Sequence, residues 1–145
     1  MSRALFPMVV HVLLQRQAPE PEVFLLRRAG TGFMDGYFAL PGGHVEAGEL
    51  PSEAARRECL EETGVRPLDL APLCTMPYRS GRHTGANLVF TASRFDGVPT
   101  LAEPQAADLA IWAQQASLPE PRAPWLESVL GLNGPVEWYS EFDSP

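Results

Sequence analysis

The stretch that decides the reading runs Gly43-His-Val-Glu-Ala-Gly-Glu-Leu-Pro-Ser-Glu-Ala-Ala-Arg-Arg-Glu-Cys-Leu-Glu-Glu-Thr-Gly-Val65. From Pro51 to Glu62 it is rich in Ala, Arg, Glu and Leu, with Pro at a first helical position and Gly64 just past the end, so the composition predicts a helix there. Leu50 stands where Ser, Thr or Asp would ordinarily cap such a helix, which predicts a frayed start or one shifted toward Ser52. At 100° per residue, Glu58, Glu61 and Glu62 fall within an arc of about 100° and share one face. Like charges at that spacing repel, and the segment holds only Arg56 and Arg57 to offset them. An oxygen-rich cluster of this kind suits a hard divalent cation, Mg²⁺ or Mn²⁺.

Outward from this segment, the chain has 145 residues, with 18 acids against 11 bases and a formal net charge of −7. That length fits one domain, residues 1–145, and the composition is that of a globular protein with a single core. Every base is Arg and there is no Lys, which excludes Schiff-base chemistry, a phosphate-loop Lys and a Lys general base. The acidic balance argues against a nucleic-acid partner, since such proteins need basic surface to displace counterions. Cys59 and Cys74 make neither a disulfide framework nor a zinc pattern and read as reduced thiols of a cytoplasmic protein. The apolar opening from Ala4 to Leu14 is too short to cross a bilayer and carries no cleavage-site pattern, so no membrane association is expected.

Met8–Leu14 and Glu22–Arg27 read as a strand pair, Ala29–Tyr37 as a Gly-rich loop, and Tyr37–Leu40 as a short strand ending at Pro41-Gly42-Gly43. Further strands are predicted at Ala71–Met76, Ala86–Arg94 and Leu109–Ala113, with a second helix from about Pro124 to Leu130. Residues 133–145 form an acidic tail whose last part, from Glu137, reads as a strand or as loose chain.

Gly43–Val65 resembles the Nudix box, G-x5-E-x7-R-E-U-x-E-E-x-G-U with U aliphatic: Gly43, Glu49, Arg57, Glu58, Glu61, Glu62, Gly64 and Val65 are all in register. Such a match arises by chance in one chain with a probability on the order of 10⁻⁷. Cys59 departs from the pattern by replacing an aliphatic residue, and as a small buried hydrophobe it should still pack. Phe24-Leu-Leu-Arg-Arg28, Tyr37–Gly43, Glu103-Pro104 and Trp112–Pro119 also resemble the family's landmarks, so the likeness covers about residues 5–132. It implies an α+β fold, a three-layer α/β/α sandwich around a mixed sheet, in which the box forms a loop, a helix and a loop.

The resemblance implies hydrolysis of a phosphoanhydride in a nucleoside diphosphate linked to another moiety, with Mg²⁺ or Mn²⁺ as cofactor and a small-molecule nucleotide as partner. On this pattern Glu61 and Glu62 are metal ligands, Glu58 a ligand or the general base, the Gly42 carbonyl a further ligand, and Glu103 a fourth carboxylate from a separate loop. Arg57 is expected to hold Glu49 and Glu58 and so tie loop to helix. Substrate contacts are assigned to Arg27 or Arg28, whichever of the alternating pair faces inward, and to Tyr37 and Trp112, with Phe33, Phe90 and Asp108 as further candidates. His11, His44 and His83 read as ordinary polar residues. An ordinary, oxidised or otherwise non-standard nucleoside triphosphate is the leading substrate. ADP-ribose or a nucleotide sugar is the alternative, weakened by Ser80 where ADP-ribose-cleaving members often carry Pro. Gly81 and His83 do not fit the Tyr of dinucleoside-polyphosphate members, and a nucleotide sensor without turnover would be expected to lack box glutamates. A homodimer stands open beside a monomer.

Overall fold

Strands β1 (Met8–Gln17) and β2 (Pro21–Arg28) form the expected hairpin, yet they pair only at its closed end, Gln15–Gln17 against Val23–Pro21. Beyond that point they splay, and two short strands fill the wedge. β3 (Phe38–Ala39) pairs with β2 while β4 (Gly42–His44) pairs with β1, and Pro41 between them accepts the Val12 N–H at 2.8 Å. The chain thus crosses from one half of the sheet to the other at the residues that open the Gly43–Val65 segment. The computed structural model describes residues 3–144.

Helix α1 (Pro51–Thr63) follows, then β5 (Arg66–Pro67), β6 (Ala71–Ser80), β7 (His83–Ala92), β8 (Phe95–Asp96), β9 (Ala107–Gln114), the four-residue α2 (Leu126–Val129) and β10 (Phe142–Ser144). The main sheet has the order β10-β6-β7-β1-β2-β3, with β9 on β2 and β4 on β1, and β5 and β8 form a separate ladder. β1 runs parallel to β7 and β10 parallel to β6 among otherwise antiparallel pairs, which makes the sheet mixed, as expected.

Alternation along β1 divides the core. Val10, Val12 and Leu14 face α1 together with Ala54, Ala55, Cys59 and Val65, while Leu13 faces Met76, Val89, Leu126 and Val129 on the opposite side. Cys59 is fully buried in the first cluster, and burial pushes its thiol pKa upward, with the Glu62 charge adding to the rise. The substitution therefore costs volume and nothing else visible.

Two local expectations are corrected. Helix α1 does start at Pro51, because the Glu53 carboxylate accepts the Leu50 N–H at 2.9 Å and so supplies the reciprocal half of a capping box that Leu50 itself cannot make. Its end is as expected, Gly64 taking a left-handed φ of 79°. The second helix shrinks to Leu126–Val129, and Trp125 at its N-cap makes no side-chain capping hydrogen bond. Of the two readings of the stretch from Glu137, the strand is the one found, as β10: Thr75 donates to Trp138 and accepts from Ser140, and Arg79 pairs with Asp143 within β10. Pro145 lies outside the described residues.

Candidate functional site

Gly42 and Gly43 sit where backbone and helix meet. A Cβ on Gly42 would lie 2.0 Å from the Val10 carbonyl oxygen, and one on Gly43 would lie 2.5 Å from the Glu58 carboxyl carbon. At Gly42 only glycine lets β4 pair with β1, and at Gly43 the missing side chain leaves room for the Glu58 carboxylate as α1 packs its acidic face directly above. The Gly42 N–H donates to Glu62 at 2.9 Å, so the helix is pinned to the strand through a carboxylate.

Arg57 organises the rest. Its Nε and Nη2 donate to the two oxygens of Glu49 at 2.8 and 3.0 Å, its Nη1 donates to Glu58 at 2.8 Å and Glu61 at 3.3 Å, and Nη2 also reaches the His44 carbonyl at 3.1 Å. This fork ties the loop before α1 to the helix through both of the partners expected for it. Hydrogen bonding from Arg57 holds the Glu49 carboxyl down at about 2, and the reciprocal interaction raises the guanidinium further. Glu49 is thereby fixed as a structural anion.

Glu58 and Glu62 behave in the opposite way. Burial raises the Glu58 pKa, against the pull of Arg57, with Glu61 and Glu103 adding to the rise. Burial likewise pushes Glu62 up to about 8 despite the Gly42 hydrogen bond, and Glu58 and Glu103 push in the same direction. Two partly buried carboxylates one helical turn apart, each raised by its neighbours, are under electrostatic stress that a cation would relieve.

Glu103 reaches this group through the end of α1. The last carbonyls of the helix need donors, and the loop after β8 supplies them: Ala102 donates to Glu62 and Thr100 to Thr63. The loop that satisfies the helix terminus thus carries Glu103 to the same cavity.

That cavity has a volume of about 470 Å³, within the range of small-molecule sites. Glu58, Glu61, Glu62 and Glu103 line its helix side, together with Gly42 and Gly43. Among the described residues no three His, Cys, Asp or Glu side chains close on one point tightly enough to grip an ion; Gly42 holds Glu62, and Arg57 holds Glu58 and Glu61, in hydrogen bonds of their own. The donor set, all oxygen and mutually repelling, nevertheless has the chemistry of a hard divalent cation site.

The Arg pair resolves at a β-bulge between Arg27 and Arg28, where β2 meets β9. Arg28 lines the cavity, donating to the Phe33 carbonyl at 2.7 Å and to Thr31 at 3.1 Å, with its guanidinium 5.7 Å from the Phe33 ring. Arg27 turns away into an exposed pair with Asp108 at 2.7 Å. Asp108 is therefore occupied outside the cavity as well.

Tyr37 and Trp112 are not brought to the cavity. Tyr37 lies in a separate depression with Arg122 and Pro121, and Trp112 packs edge-on against Phe24 at 5.3 Å and under Arg16 at 4.2 Å. The alternation of β9 turns Trp112 toward the α1-side core. Phe90 is core, while Phe33 lines the cavity. His11, read from sequence as an ordinary polar residue, also lines it. The available signal was its place in an apolar strand on the opposite parity from Val10 and Val12.

A family model for the NUDIX domain matches residues 5–130. Over 46 residues, 32% of the chain, the sequence is 44% identical to the 8-oxo-dGTP diphosphatase of Escherichia coli, and over 71 residues, 48% of the chain, it is 41% identical to the ADP-ribose pyrophosphatase of Methanocaldococcus jannaschii. These stretches amount to 36% and 41% of the relatives' own lengths. Among solved structures, a MutT NUDIX hydrolase from Burkholderia pseudomallei superposes with a TM-score of 0.79 at 23% identity, over 88% of this chain and 97% of that one. The NUDIX domain of Shewanella oneidensis NrtR, solved with ADP ribose, gives a TM-score of 0.68 at 20% identity, over 94% of this chain and 82% of that one. At these identities the structural likeness speaks for the fold.

Proposed function

The chain belongs to the NUDIX domain family, and from that premise we propose that it is a cytoplasmic, metal-dependent pyrophosphohydrolase acting on a nucleoside triphosphate, ordinary, oxidised or otherwise non-standard. The observation that carries this reading is the pair Glu58 and Glu62, two partly buried carboxylates with raised pKa values facing one cavity with Glu61, Glu103 and Arg28. The family generally requires a divalent metal. Mg²⁺ or Mn²⁺ would be held by Glu61, Glu62, Glu103 and the Gly42 carbonyl, and would supply charge neutralisation on the phosphates and a more acidic water.

The chain's own residues supply the remainder. Arg28 offers a planar guanidinium to a phosphate oxygen, exchanging its present bonds to Thr31 and Phe33. Glu58 is the general base: burial raises its carboxyl above the ordinary value, which makes the ionised group more basic and able to accept the proton of an attacking water. Arg57 orients that carboxylate and keeps the preceding loop against the helix.

A panel of nucleoside triphosphates, dinucleoside polyphosphates, nucleotide sugars and ADP-ribose, assayed with each metal, tests the proposal. Phosphoanhydride hydrolysis of triphosphates, lowered by orders of magnitude in Glu62→Gln, is the expected result. Binding without turnover across the panel would overturn it in favour of a sensor. The likeness to an ADP-ribose pyrophosphatase supports a second reading, distinguished by ADP-ribose outcompeting triphosphates in the same panel.

A further inference from the structure

The sheet side of the cavity presents the apolar side chains of Val9, Leu26, Ala39 and Leu40, and with them the polar His11, Arg28 and His44; of these three, His11 has a buried ring nitrogen with no hydrogen-bond partner among the described residues. This imidazole is held from two sides. Its Nε2 lies 2.7 Å from the Asn87 Oδ1, and its ring meets Trp125 at 4.6 Å between centroids with an interplanar angle of 57°. The Asn87 amide is itself oriented, because its Nδ2 donates to the Met76 carbonyl at 3.4 Å. That leaves Oδ1 as the atom facing His11, so Nε2 carries the proton and Nδ1 presents a lone pair. Nδ1 is shut off from solvent and is hydrogen-bonded to nothing in the described residues. Burial lowers the pKa of the ring to about 4, which keeps it neutral and leaves the lone pair free.

A buried acceptor without a donor is destabilising, and the rest of this polar set (Asn87, Met76) is satisfied at that acceptor's expense. We propose that His11 determines which nucleobase the cavity accepts, its Nδ1 taking an N–H from the edge of the base. The inference rests on the reading of the cavity as a nucleotide site. Reaching Nδ1 requires the side chains that cover it to shift when the base enters, an adjustment of the kind common on ligand binding. A nucleobase fits the wall chemically: its faces suit the apolar residues, and its amino group or protonated ring nitrogen supplies the missing donor.

The test compares kcat/KM for GTP, ITP, ATP, CTP and UTP, with ribose 5-triphosphate as a substrate that has no base. His11→Leu is expected to shrink the ratio between the best and the other nucleotides by about tenfold, the scale of one lost hydrogen bond, while the base-free substrate suffers at least about fivefold less. His11→Gln, which keeps an acceptor oxygen, should recover part of the ratio. Should the Leu variant fail to fold, Asn87→Leu leaves the ring in place but frees its tautomer, and it should contract the same ratio. An equal loss on every substrate, or an unchanged ratio in both variants, overturns the proposal. Absence of triphosphate turnover in the unaltered protein overturns instead the activity on which it rests.

Discussion

Gly43 and the Glu58 carboxylate occupy adjoining space with no room for another atom: a Cβ on Gly43 would come within 2.5 Å of both the carboxyl carbon and Oε1. The obstacle is the far end of a flexible side chain, so Gly43→Ala should fold and push Glu58 aside. We expect hydrolysis to fall by about 10²-fold, the scale of a misplaced catalytic group, with only a few degrees lost in thermal unfolding. In Gly42→Ala the obstacle is the Val10 carbonyl at 2.0 Å, which is backbone. That variant should lose about 3 kcal/mol or more, the scale of severe core strain. Melting curves beside rate measurements separate the two, and equal destabilisation would refute the distinction.

Arg57 donates to both oxygens of Glu49 and to Glu58 at once. A Lys can offer a charge but not this planar fork. Arg57→Lys should therefore lose nearly as much activity as Arg57→Ala, about tenfold or more, and a rate for the Lys variant within twofold of the original would show that charge alone suffices.

Glu62 makes the metal-free protein sensitive to alkali. Its folded pKa near 8 lies above the ordinary value of 4.5, so the folded state holds the proton more tightly than the unfolded one. Its stabilising contribution is fully present below pH 4.5 and is lost as pH rises toward 8. His11 runs the other way: its folded pKa near 4 lies below the ordinary 6.5, so its contribution is present above pH 6.5 and falls away as pH drops toward 4. Glu62→Gln removes the first effect and keeps the second. With a chelator present, the variant should gain roughly 2–4 kcal/mol relative to the original between pH 5 and 8.5 in urea titrations. A pH-independent difference would contradict the burial of this carboxyl. Added Mg²⁺ should then stabilise the original chain more than the variant, since the variant lacks one of the carboxylates that would hold the ion.

Arg28 and Arg27 are neighbours with opposite fates. Arg28→Ala should raise KM or lower kcat/KM about tenfold or more, by the loss of a charge-assisted contact to phosphate. Arg27→Ala breaks only an exposed pair with Asp108 and should change kcat/KM less than about twofold and stability by under about 1 kcal/mol. The reverse ranking would place Arg27, not Arg28, at the substrate.

By itself the sequence determined the parts whose causes are local. Glu58, Glu61 and Glu62 share a face because helical geometry allows nothing else at that spacing, and Gly64 ends the helix because a left-handed residue was needed. The Arg57 fork to Glu49 and Glu58 was legible too, its partners lying within eight residues along the chain. Tertiary structure decided whatever depends on strands meeting across long separations. The bulge between Arg27 and Arg28 chose which guanidinium turns inward, a matter of register with β9 some eighty residues away. Trp112 went to the core and Tyr37 to another depression for the same reason. Glu103 arrived because α1's terminal carbonyls recruited the loop that bears it. His11, one letter in an apolar strand, became a cavity residue only when Asn87, 76 positions on, fixed its ring. Intrinsic geometry fixes spacing along one element, whereas burial and hydrogen-bond satisfaction between elements fix which side chains face the same space.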